Sequence, residues 1–419
     1  MKADVAKRYN RRIYPIYKGM GWDPLFYGAI IFLFLTQVKG LSPSTIMYAE
    51  AAHTVFVLLF KIPAAILIEK LGSRKALILG NTLVTIQIAM MMFANNFMYL
   101  VIAYFFSGLG YSITAIARNT LLYDSTKECK GKNSFANIDA KGSSVSYIFN
   151  AFSSVVTGFL FAINAYVPLI LSSFVSFMTV IIAYRFEEVG KDKKQKVTIS
   201  QSVRNIKQGF VFIAKSKRLR ALFLFSAFFT GVLMMFGTYE KGLLKDLQVS
   251  PQYFGIIFGC LTLIQCFSAQ YQDKIHKVFK SRALTLISVP IFILIVVIGA
   301  IVTLKFNYII TIMIVIIGFG IHHFLRGPYW VLQSKYLTNF TNSNIRAKIL
   351  ATNGLVEGIG RTIMMFVGGF LLDNYTTSES YLILGISGLV IILVILRYMK
   401  TRIGLRPEKY DKKDIELEN

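Results

Sequence analysis

Charge is scarce in this chain, and acid is scarcer than base. Asp, Glu, Lys and Arg together make up 16% of 419 residues, with 21 acids against 46 bases. Soluble globular domains carry nearer a quarter, so a soluble fold is excluded. Cysteine is almost missing. Cys129, Cys260 and Cys266 show no paired spacing and two of them lie in an apolar run, which excludes a disulfide framework and a cysteine-built metal site. There is no glycine loop of the phosphate-cradling kind, no catalytic triad and no zinc-ligand spacing. No enzyme, nucleotide-driven pump, cofactor or metal is expected. Met1 to Gly21 is basic and polar instead of a short apolar core with a cleavage site, so no removable signal peptide is read there.

Apolar sequence fills the space that charge leaves. The chain is 55% hydrophobic, holds 35 Phe and has a mean hydropathy of +0.56. These values describe an all-α polytopic membrane protein. A net charge of +25 raises the question of nucleic acid, which needs bases clustered on a soluble face. Here roughly 40 of the Lys and Arg fall in alternate connections between apolar runs, the distribution that fixes orientation in a membrane. Nucleic-acid binding is therefore not expected, and both termini are placed on the cytoplasmic side.

Twelve spans follow from the runs. Asp23-Pro24 offers a cap and a first-turn proline for span 1, which reaches about Val38. Ser42-Pro43 repeats that signal for span 2, and span 3 runs from Lys75 to about Asn95. Spans 4, 5 and 6 cover about 97–117, 142–162 and 166–184. From Arg185 to Arg220 the composition turns polar and basic, with Lys191, Lys193, Lys194 and Lys196 close together. Within it Val203, Ile206, Phe210, Ile213 and Ala214 recur at helical spacing, which predicts a helix lying on the anionic inner leaflet or against a partner. Spans 7 to 12 reach about Lys241, then cover 250–272, 283–304, 308–326, 349–372 and 381–398. The domains expected are 1–186, a linker at 187–220, 221–400 and a charged tail at 401–419.

An internal repeat supports this division. Ser42-Pro43 recurs as Ser250-Pro251, and Ala65-x-x-x-Glu69-Lys70 as Ala269-x-x-x-Asp273-Lys274. Lys75-Ala-Leu recurs as Arg282-Ala-Leu, Gly108-Leu-Gly110 as Gly318-Phe-Gly320, and Gly158-Phe-Leu as Gly369-Phe-Leu. Five matches in one order at a nearly constant offset indicate two pseudo-symmetric six-helix halves.

The turn between spans 2 and 3 reads Ala65-x-x-x-Glu69-Lys70-x-Gly72-Ser73-Arg74-Lys75. It resembles the Gly-x-x-x-Asp-Arg-x-Gly-Arg-Lys loop of the major facilitator superfamily, with Ala65 and Ser73 as departures. The resemblance covers nearly the whole chain and implies that fold, with a substrate cavity opening alternately to each side. It also implies a gate in which Glu69 meets the opening of span 11 and Arg74 the cytoplasmic end of span 4. Gly72 forms the turn, and Asp273 and Lys274 are the weaker counterpart. Tyr104 stands where proton-coupled exporters of the family carry an Arg, and span 5 lacks their Gly-Pro.

Ionisable groups inside the apolar runs need a partner or a task, because each costs several kcal/mol there. Glu50 and Lys61 share one face of span 2, with His53 nearby; Lys61 is read either as an anion or coupling site or as a snorkelling lysine. Glu357 and Arg361 have the spacing of an intrahelical ion pair, structural or coupling. Glu240 is either a proton acceptor or a solvated helix end. His322 and His323 are ~100° apart, so at most one is expected to face a cavity, and the pair is no metal site by itself. Apart from Gln37, Ser112, Thr114, Thr230 and His322, the spans placed around the cavity are apolar and aromatic. Three functions remain open. The first is export of a hydrophobic or amphipathic small molecule, such as a drug or metabolite, by proton antiport across the plasma membrane, as a monomer. The second is transport or flipping of an anionic substrate or lipid by Lys61 and Arg361, and the third is a non-transporting receptor or scaffold.

Overall fold

The computed structural model describes residues 2–21, 23–127, 129–189, 199–279, 283–304, 306–339 and 343–403. Trp22, Lys191, Lys193, Lys194, Lys196, Arg282 and the tail from 404 lie outside these residues. Among the described residues all regular structure is helical, and ten helices are long and apolar enough to cross a membrane. The chain divides into two compact units, 1–202 with 249–260, and 203–248 with 261–419.

The first unit opens on a helix that composition hides. α1 (Lys2–Gly21) is basic, yet Tyr14, Tyr17 and Lys18 are each 1% exposed. Tyr17 packs edge to face on Phe186 at 5.1 Å and meets Asn81, while the Lys18 ammonium pairs with Asp139 at 2.6 Å. The Lys18 stem lies over Gly142, where an added Cβ would come 2.8 Å from its Cδ. Span 1 then departs from expectation. Residues 23–30 are turns, with Phe26 at φ +64°, and only α2 (Ile31–Leu33) and a π-helical stretch Phe34–Val38 follow. A residue in the left-handed region cannot continue a right-handed helix, so the apolar run is helical only in its second half.

Ser42-Pro43 does start a helix. The Ser42 hydroxyl accepts from Thr45 N at 3.1 Å and Pro43 opens α3 (Pro43–Leu71). α4 (Ser73–Met91) follows after one residue, Gly72, at φ +83°. α4 has the length of a span, but Arg74, Lys75, Asn81 and Gln87 keep it out of the apolar ten. In α5 (Phe97–Thr126), Gly108 sits against Phe56 and Val57 of α3, and Gly110 against Gly80 and Val84 of α4. Small residues let the three backbones approach, the packing that membrane helices use in place of a hydrophobic driving force. α6 (Phe135–Ile163) and α7 (Val167–Arg185) complete the unit, together with the start of α10 (Pro251–Ala269), whose Gly255 and Gly259 pack on Ser154 and Val155 of α6.

The second unit begins within α8 (Ile199–Lys215), the predicted amphipathic helix. Gly209 lies on Thr352, and Ile213 is buried, while Phe210 and Val211 remain exposed. α9 (Lys217–Asp246), α11 (Gln272–Phe279), α12 (Ala283–Thr303), α13 (Tyr308–Asn339), α14 (Ser343–Asn374) and α15 (Thr377–Ile403) follow. Several helices outrun the apolar windows that located them, because polar residues beyond the hydrocarbon layer are helical too. α13 shows this best: it passes Arg326, Gly327 and Pro328 and continues to Asn339.

Candidate functional site

The turn between α3 and α4 shows why its glycine is required. Gly72 has the backbone conformation that side chains avoid, and a Cβ there would sit 2.9 Å from the Glu188 carboxyl carbon. Glu188 accepts from Ser73 N at 2.9 Å and Arg74 N at 2.8 Å, and so binds the free N–H groups that open α4. Arg74, expected at the end of span 4, instead donates from Nη2 to Tyr184 O at the end of α7, at 2.6 Å. The loop pattern locates the turn but not its partner, since Glu188 and Tyr184 lie more than a hundred residues away. Glu69 is half-buried at the end of α3. In the second unit Asp273 pairs with Lys335 at 3.1 Å, a contact that holds the carboxyl below its usual range, and Lys274 lies 5.2 Å from the Tyr271 ring.

Along α3, Glu50, His53 and Lys61 are half-buried. His53 Nε2 lies 3.1 Å from Ser107 Oγ, and its ring is flanked by Tyr104 and Tyr111. The position where exporters carry Arg is thus part of an aromatic wall.

The densest constellation is in the second unit, where α9, α13 and α14 meet. Glu240 is 1% exposed rather than a solvated helix end. His322 Nδ1 lies 2.7 Å from its Oε1, and His323 Nε2 lies 3.1 Å from its Oε2. Both adjacent histidines therefore serve one carboxylate. The ~100° between them fixes directions on α13, but the shared partner comes from a second helix and fits between the two rings. The far nitrogens, His322 Nε2 and His323 Nδ1, have no hydrogen-bond partner.

One carboxylate and two imidazoles with donor atoms within 4.8 Å of one another are also a donor set that divalent metals use. The Arg326 charge acts on the same carboxylate and opposes a dication there.

Towards the start of α9 lies a second acid. Glu357 Oε1 accepts from Ser226 at 2.7 Å, from Asn353 at 2.6 Å and from Gln333. The expected ion pair with Arg361 is not formed among the described residues. Residues four apart can pair on an isolated helix, but here three neutral donors, two of them from other helices, occupy the carboxylate first. Thr230 and Tyr329 join by their hydroxyls at 2.9 Å between the two acid layers. Arg326, taken from sequence as the end of span 10, lies mid-helix beside Met234, with Nη2 3.9 Å from the sulfur. An arginine next to Gly-Pro reads as a boundary, so no local signal marked it.

No curated relative matches this chain. Among solved structures, the nucleoside transporter NupG superposes with a TM-score of 0.74 at 12% identity, covering 96% of this chain and 100% of that one. A D-xylose–proton symporter gives 0.67 at 11%, covering 96% and 98%. A POT family transporter in complex with 5-aminolevulinic acid gives 0.67 at 12%, covering 96% of each. At such identities the likeness concerns the fold. The Major Facilitator Superfamily family model matches residues 24–337, three quarters of the chain, and the protein belongs to that superfamily of membrane transporters.

Proposed function

We propose that the protein is a secondary active transporter that couples movement of an amphipathic small molecule to protons, with Glu240, His322 and His323 as the proton site. The observation that carries this reading is the buried carboxylate clasped by two imidazoles. With both rings neutral, each gives its one N–H to Glu240 and keeps a bare nitrogen behind it. A proton taken at either nitrogen turns a hydrogen bond into an ion pair without moving a helix. Among the described residues, the charge of Glu240 also acts on Arg326 and Tyr381. Export by antiport is the direction adopted, from the aromatic lining read in the sequence. The charge bias supports the cytoplasmic membrane with both termini inside, 187–220 as linker, and a monomer as the working unit.

The test uses purified protein in liposomes with an imposed pH gradient and a fluorescent amphipathic probe. One charge moving through 100 mV supplies about 2.3 kcal/mol, roughly a fiftyfold concentration ratio. Glu240→Gln should abolish gradient-driven accumulation while leaving downhill exchange. Accumulation that survives both the substitution and collapse of the pH gradient would remove the proton from the account.

A second reading, transport of an anion, is favoured by Arg361. It makes no hydrogen bond or ion pair among the described residues, and its Nε is buried without a partner.

A further inference from the structure

Arg326 and Arg361 stand out as cations that no acid contacts among the described residues. Arg326 lies 18 residues from the start of α13 and 13 from its end, and Arg361 has the same placement in α14. At 1.5 Å per residue, each is about 20 Å or more from either terminus of its helix, beyond the reach of a snorkelling side chain. Their level follows from contacts on both sides. Inward, Glu357 joins Ser226 and Gln333; outward, Glu240 joins His322 and His323. Arg326 comes one turn after the histidines, beside Met234. Arg361 comes one turn after Glu357 and directly follows Gly360, which packs on the backbone of Ala227. The two arginines thus occupy the interval between two acids.

Neither acid neutralises them by contact. Both Glu240 oxygens take imidazoles, and Glu357 takes amide and hydroxyl donors. Arg361 has no hydrogen bond among the described residues, Arg326 reaches only a thioether sulfur, and the Nε of each is buried without a partner. The two charges also repel one another. A pair of cations in a low-dielectric interior is costly unless something supplies the opposite charge. Guanidinium groups suit one partner above others, an oxyanion that accepts two parallel N–H bonds. The surroundings are ring-rich: Phe229 meets Tyr329 edge to face at 4.8 Å, and Tyr329 lies 5.3 Å from Trp330.

We propose that Arg326 and Arg361 together hold the oxyanion, a carboxylate or phosphate, of a transported molecule whose remaining body is apolar. This deepens the transport reading and rests on it, but binding can be measured without transport. Trp330 is one of only two tryptophans, so Trp22→Phe leaves it as a single reporter beside the site. Detergent-solubilised protein is titrated with cyclohexanecarboxylate, cyclohexyl phosphate, cyclohexylmethanol and cyclohexylamine, none of which absorbs where tryptophan does. Saturable fluorescence change is expected with one or both anions and not with the alcohol or the amine; the stronger anion identifies the headgroup.

Arg326→Gln and Arg361→Gln should each weaken anion binding about tenfold to a hundredfold, from the strength of charge-assisted hydrogen bonds. Arg361→Lys, which keeps charge and loses the fork, should fall between. Removing a cation that no acid contacts should leave the ligand-free melting temperature unchanged or raise it. Equal binding of alcohol and anion, unchanged binding in Arg361→Gln, or a large drop in its ligand-free melting temperature would each overturn the proposal. Anion binding that obeys these rules in a protein that moves nothing in liposomes would sink the transport reading and leave the site standing. Proton-driven transport of neutral probes with no anion binding would do the reverse.

Discussion

Replacing Asp139 by Asn tests what fastens α1 to the first unit. The Lys18 side chain is 2% exposed, and its ammonium donates to Asp139 Oδ1 at 2.6 Å, Asp139 O at 3.1 Å and Ser143 Oγ at 2.8 Å. Removing one member of a buried pair costs about 3–5 kcal/mol, because the other charge stays buried. Two features soften this case. The carboxamide introduced by Asp139→Asn keeps an oxygen for the ammonium, and the Asp139 side chain is 32% exposed, so water reaches it. The expected loss is about 2–3 kcal/mol, roughly 30-fold to 160-fold in the unfolding equilibrium.

Acidity gives a second signature. Burial lowers the Lys18 pKa and the Asp139 carboxylate opposes that. With the carboxylate gone the folded-state value falls further below the unfolded one, so between the two the unfolded chain binds more protons. Stability must then rise with pH, by at most about 1.4 kcal/mol per unit. Graded denaturation in detergent, followed by circular dichroism at pH 7 and pH 9, should show the variant recovering relative to the parent. Lys18→Met combined with Asp139→Asn should regain most of the loss at pH 7. A single variant within about 0.5 kcal/mol of the parent and without pH recovery would refute the reasoning, since that is the range of an ordinary surface change.

Two further substitutions probe the close contacts. Gly72→Ala should cost about 1–3 kcal/mol, because its backbone conformation is nearly reserved for glycine and the methyl meets the Glu188 carboxylate; a melting curve in detergent reads this directly. Gly360→Leu should prevent α14 from seating on Ala227 of α9, lowering the melting temperature and abolishing probe transport together, whereas Gly360→Ala should do so in part.

Ten of the twelve expected spans were legible as long apolar helices because hydropathy records burial in lipid, and Ser42-Pro43 marked a helix start because capping is local. α1 was not, since its core-facing Tyr14, Tyr17 and Lys18 sit among exposed bases that read as a tail. Span 1 failed for the opposite reason: apolarity says where a segment lies and not whether its backbone is regular, and Phe26 breaks it. Glu240 and His322 were each visible as anomalies in apolar sequence. Their union was not, because 82 residues separate them and only packing brings them together. Glu357 and Arg361 misled by proximity in sequence, where a strong local rule was overridden by Ser226 and Gln333 from neighbouring helices.

Pro328 in the interior of α13 carries a mechanical consequence. Proline has no N–H, so the carbonyl of Phe324 loses its helical donor, and the rod is weakest in bending there. Above that joint are the imidazoles and Arg326; below it are Tyr329 and Gln333, tied to Thr230 and Glu357. Flexing at this joint changes the gap between the two guanidinium groups while sparing the polar clasps on either side. A single helix can thereby widen or narrow its grip on cargo as its upper arm swings.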